Sequence, residues 1–88
     1  MNINQAIRQL RERLGSNQQI FATNLGISIR ALVNYEKDRE PLVESLTKLA
    51  LVARLAGLPD LETFFTDAVR ERLTARLDDN EMRAQRPG

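Results

Sequence analysis

Arg30 and Asn34 stand four residues apart, about one helical turn, in a chain of 88 residues that has no Cys, no His and no Trp. A guanidinium offers paired donors that match guanine, and a carboxamide offers a donor and an acceptor that match adenine. A helix exposing both side chains therefore suits the major groove of duplex DNA. Enzyme chemistry has much less to work with. Without Cys there is no disulfide, thiolate zinc site or cysteine nucleophile, and without His the commonest general base and metal ligand is missing. Glu62, Asp67 and Glu71 have neither a nucleophile nor a metal set beside them and read as a solvated helix face. No enzyme activity, metal or cofactor is expected.

The elements that must hold Arg30 and Asn34 are all helical. Hairpin pairs such as Asn-Gly or Asp-Gly are absent, and no segment alternates apolar with polar residues for long. Ile3, Ile7, Leu10 and Leu14 form one apolar stripe of a first helix, ended by Gly15. Ser16-Asn17-Gln18-Gln19 allows either a Ser16–Gln19 capping box or an Asn17 cap for a short second helix. That helix buries Phe21, Ala22 and Leu25 and ends at Gly26, which supplies positive φ. Ser28 caps a third helix to about Glu36. Its Leu32 and Tyr35, together with Ile27, face inward, and Ser28, Ile29, Arg30, Val33 and Asn34 face outward. Two short helices joined by a Gly-containing turn are a helix-turn-helix unit.

Pro41 is expected to open a fourth helix over about residues 42–56. Leu42, Leu46, Leu49, Ala50 and Ala53 lie on one of its faces, and Leu51, Val52, Leu55 and Leu58 form a second stripe, so this helix needs two neighbours. Asp60 is expected to cap a fifth helix, with apolar residues from Leu61 to Leu77 at spacings of three and four. The expected division is a single domain over residues 1–77: a core over 1–58, a C-terminal helix over 59–77 and a flexible polar tail over 78–88.

The net charge of +1 conceals a division along the chain. Residues 1–58 carry eight basic residues against five acidic (+3), and residues 59–88 carry five against seven (−2), a distribution compatible with an anionic partner. No stretch reaches the roughly 18 apolar residues of a membrane span, and residues 1–10 show no signal-peptide pattern. A cytoplasmic protein is expected, with no membrane partner.

Arg11, Gly15, Gln18, Ala22, Gly26, Ile27, Ser28, Leu32, Tyr35 and Glu36 occur in register and without a gap. At these positions the chain resembles the Cro and phage-repressor (XRE-like) helix-turn-helix family, and the resemblance continues through Pro41 to about residue 58. It implies an all-α, five-helix, lambda-repressor-like domain. It further implies that Gln18 bridges a phosphate and a base, that Ser28 contacts a phosphate, and that Ile29, Arg30 and Asn34 read bases. Lys37 and Arg39 would approach the DNA backbone from the following loop, and Arg11 and Glu36 would form a structural ion pair. Ile29 and Val33 are apolar where many relatives are polar, which suits thymine methyls or a protein partner. Asp38 stands where relatives often have Gly.

The expected function is a DNA-binding transcriptional regulator, with repression favoured, acting as a homodimer on an inverted repeat. Leu51, Leu55, Leu58, Phe64 and Phe65 are expected to supply the dimer or partner surface. Two alternatives stay open: an antitoxin-type regulator that also binds a small partner toxin, and a protein-interaction module that does not bind DNA.

Overall fold

The computed structural model describes the backbone of residues 1–84 and the side chains of residues 1–78, and the described residues form five helices without a strand. They are α1 (Ile3–Arg13), α2 (Gln18–Leu25), α3 (Ile29–Lys37), α4 (Val43–Leu55) and α5 (Pro59–Ala84). None of them is long and apolar enough to cross a membrane.

A reciprocal capping box opens α1: the Gln5 N–H donates to Asn2 Oδ1 at 2.8 Å, and the Asn2 N–H donates to Gln5 Oε1 at 3.0 Å. Ala6, Ile7 and Leu10 are fully buried, whereas Leu14 lies just past the helix as its C-cap and is 40% exposed. The apolar stripe thus outruns the core contact by one residue. Of the two caps the sequence allows for α2, the Asn17 side chain is used, accepting the Ile20 N–H at 2.8 Å, while Ser16 Oγ turns to the Asn17 carbonyl. Gly26 ends α2 at φ 68°. There a Cβ would strain the backbone and would sit 3.4 Å from Lys48 Nζ. We expect Gly26→Ala to cost roughly 1–2 kcal/mol, the usual penalty for an L-residue held left-handed, measurable as a lower urea midpoint.

Two helix starts differ from the sequence expectation. α4 begins at Val43 with Leu42 as its N-cap, so Pro41 precedes the helix, where its ring is buried. The proline at a first helical position is Pro59, which opens α5; its fixed φ suits that position and its missing N–H has no partner to lose there. The first α5 backbone bond runs from the Glu62 N–H to the Leu58 carbonyl, so Asp60 lies inside the first turn. From there it accepts from Arg13 Nη1 at 2.7 Å, joining α5 to the end of α1. That hydrogen bond holds the Asp60 carboxyl below its ordinary range.

The polar tail expected from Asp78 is also corrected: α5 continues to Ala84, and residues 85–88 lie outside the described structure. Loss of an apolar stripe does not end a helix; a breaker does. No Gly or Pro occurs between Pro59 and Pro87, and Glu81, Met82, Arg83 and Ala84 are good helix formers.

One cluster of buried side chains unites the five helices. Ile7 and Leu10 of α1, Phe21 of α2, Leu32 of α3, Leu46 and Leu49 of α4, and Leu61 and Phe65 of α5 are its largest fully enclosed members. The expected dimer surface therefore divides. Phe65 is fully buried, one turn after Leu61 on the α5 face that meets α4, and Leu58 and Phe64 pack half-buried against the same core. Leu51 and Leu55, 54% and 78% exposed, remain uncovered.

Candidate nucleic-acid interface

The geometry begins with α3, which packs its inner face on α1 and α2 through Leu32 and Tyr35. Its opposite edge is open. Ser28 caps the helix by accepting the Ala31 N–H at 3.1 Å, which leaves the hydroxyl proton available to a phosphate oxygen. Ile29, 46% exposed, and Arg30, also exposed, follow in the first turn, and Val33 and Asn34 are half-buried one turn later. Lys37 closes the helix, and Lys37 and Arg39 are both exposed. Asp38 is the C-cap at φ −151°, so the chain leaves α3 without needing a glycine at that position.

Beneath this edge, Glu36 is buried with its carboxylate almost wholly enclosed. Arg11 meets it in a bidentate pair, Nε to Oε2 at 2.8 Å and Nη2 to Oε1 at 2.9 Å, while Arg11 Nη1 reaches the Ser16 carbonyl at 3.2 Å. The hydrogen bonds to Glu36 hold the guanidinium further above its already high ordinary range. Gln18, at the first position of α2, is half-buried and donates from Nε2 to Glu36 Oε1 at 3.4 Å. Its amide nitrogen thus turns inward. The backbone N–H groups of Gln18 and Gln19 have no partner within α2, because the Asn17 side chain takes the Ile20 N–H. The N-terminus of α2, the last turn of α3 and α1 accordingly meet at the Arg11–Glu36 pair.

Three further side chains position this surface, and their roles depend on contacts far apart in sequence. Asn4 Nδ2 donates to the carbonyls of Tyr35 and Arg39 at 2.7 and 3.0 Å, holding the end of α3 and the following loop against α1. Lys48 Nζ donates to the Leu25 carbonyl at 3.1 Å, so α4 supplies a cation to the C-terminal end of α2 beside the turn. Arg72 of α5 bonds the Pro41 carbonyl and Glu40, fixing the far side of the loop. No local pattern signals Asn4 or Lys48, because their acceptors are carbonyls 23 to 35 residues away.

A family model described as Helix-turn-helix (HTH_3) matches residues 7–55, which include α2, the turn, α3 and all of α4. No curated protein and no solved structure matches the chain.

Proposed function

This chain belongs to the Cro/C1-type helix-turn-helix family of DNA-binding regulators, and from that premise we propose a sequence-specific repressor that acts as a homodimer on an inverted repeat. The observation that carries the proposal is the open edge of α3, where Ile29 and Arg30 stand exposed in the first turn of the helix that follows the family's turn. Arg30 and Asn34 are assigned to bases, and Ile29 and Val33 to thymine methyls. Gln18, Ser28, Lys37 and Arg39 fix the register on the phosphates.

A homodimer is part of the proposal because one nine-residue helix presents few base-reading side chains. Two copies would bind half-sites about 34–36 Å apart. The exposed Leu51 and Leu55 on α4 favour association through that face. Repression would be steric, by occupation of the operator in the cytoplasm.

Selection of bound duplexes from a random pool tests this, followed by titration of the enriched site with wild type, Arg30→Ala and Asn34→Ala. An enriched inverted repeat is expected, with each substitution costing about 1–3 kcal/mol and relaxing the preference at one position per half-site. Absence of any enrichment, with wild type and variants alike, overturns the proposal and turns attention to a protein partner.

A further inference from the structure

We infer that Arg8, on α1, is a DNA-backbone contact that extends the interface beyond α2, α3 and the loop; the inference rests on the DNA-binding function proposed above. Glu36 does not need Arg8. Its two oxygens already receive Arg11 Nε, Arg11 Nη2 and Gln18 Nε2, at 2.8, 2.9 and 3.4 Å. Arg8 Nε stands off at 3.7 Å from Oε1, outside hydrogen-bond distance, and its side chain is 57% exposed where that of Arg11 is only 17% exposed.

The cluster of two arginines and one carboxylate therefore carries a net charge of +1, and the exposed share of it is the Arg8 guanidinium. Its location is fixed by the shared acceptor. Arg8 and Gln18 both lie within 4 Å of the same Glu36 oxygen, so the Arg8 head group lies close to the first residue of α2. The N–H groups of Gln18 and Gln19 open that same helix and carry the positive end of its dipole. The charge of Glu36 is already balanced by Arg11, so the second guanidinium and the start of α2 together present a net positive potential to an approaching anion. A phosphate of the bound duplex is such an anion, and the length of the arginine stem lets the head group leave Glu36 without disturbing the Arg11 pair.

Titrations across a range of salt concentrations test this with full-length wild type, Arg8→Gln and Arg8→Lys. Two probes are used: the enriched operator duplex and an unrelated duplex of equal length. Arg8→Gln is expected to weaken both by the same factor and to reduce the slope of log affinity against log salt by about 0.9 for each subunit bound. Arg8→Lys should retain most of that slope, and neither substitution should lower the melting temperature. A wild type that binds with a slope unchanged by Arg8→Gln overturns the Arg8 assignment alone. So does a marked fall in melting temperature, which would make Arg8 a structural partner of Glu36. A wild type that binds neither duplex overturns the DNA-binding proposal, and this inference with it.

Discussion

Replacing Arg11 by Ala is expected to destabilise the fold by about 3–5 kcal/mol, because it strands a carboxylate that the fold has taken out of water. The Glu36 side chain retains 1% of its surface, and Arg11 supplies two of its three hydrogen bonds. The remaining groups are poor substitutes. Gln18 is neutral at 3.4 Å, and Arg8 is 3.7 Å away and largely hydrated. A domain of this size has a stability of roughly 5–13 kcal/mol, so the loss is a large part of the total. Each kcal/mol lowers the melting temperature of such a domain by about 4–8 °C, and a fall of more than about 12 °C is expected. Replacing both partners together, Arg11→Met with Glu36→Leu, should recover most of that loss, since no charge is left buried and unpaired. A fall below about 1 kcal/mol in Arg11→Ala would show that water reaches Glu36 and that the pair does not hold α1 to α3.

The helix boundaries that depend on local chemistry were legible in the sequence, and those that depend on packing were not. Ser28 and Gly26 act through groups within three to four residues, so the turn between α2 and α3 could be placed from the letters alone. Asn2 and Gln5 have the spacing of a capping box as well, and act through each other's backbone N–H three residues away. Pro41 and Pro59 show the limit of a local rule. Pro59 is the first residue of α5, whereas Pro41 stops two residues short of α4, with its ring buried and its carbonyl bound by Arg72.

The candidate interface divides in the same way. The outward residues of α3 follow from helical periodicity, as Arg30 and Ile29 illustrate. Asn4 and Lys48, which brace the ends of α3 and α2, could not be identified because a backbone carbonyl carries no letter. Arg8 lay within reach of periodicity, three residues before Arg11 on the same side of α1. Its significance appears only when the acceptors around Glu36 are counted.

Phe65→Ala and Leu55→Ala are expected to part company by several kcal/mol, although both residues entered one apolar surface when judged by sequence. Phe65 is fully buried at the contact of α5 with α4 and meets the Phe64 ring edge to face, with centroids 5.9 Å apart at 89°. Its truncation removes a ring from a closed core and should cost about 3–5 kcal/mol in urea denaturation. Leu55 is 78% exposed, and its truncation should change the stability of an isolated subunit by no more than about 0.5 kcal/mol. If two copies associate through Leu51 and Leu55, Leu55→Asp should abolish the dimer in analytical ultracentrifugation while far-UV circular dichroism is unchanged. An unchanged dimer in Leu55→Asp would move the subunit contact elsewhere. A stable, well-folded Phe65→Ala would show that Leu61 and the half-buried Leu58 and Phe64 hold α5 on the core without that ring, since the Arg13–Asp60 and Arg72–Glu40 ion pairs are too exposed to do so.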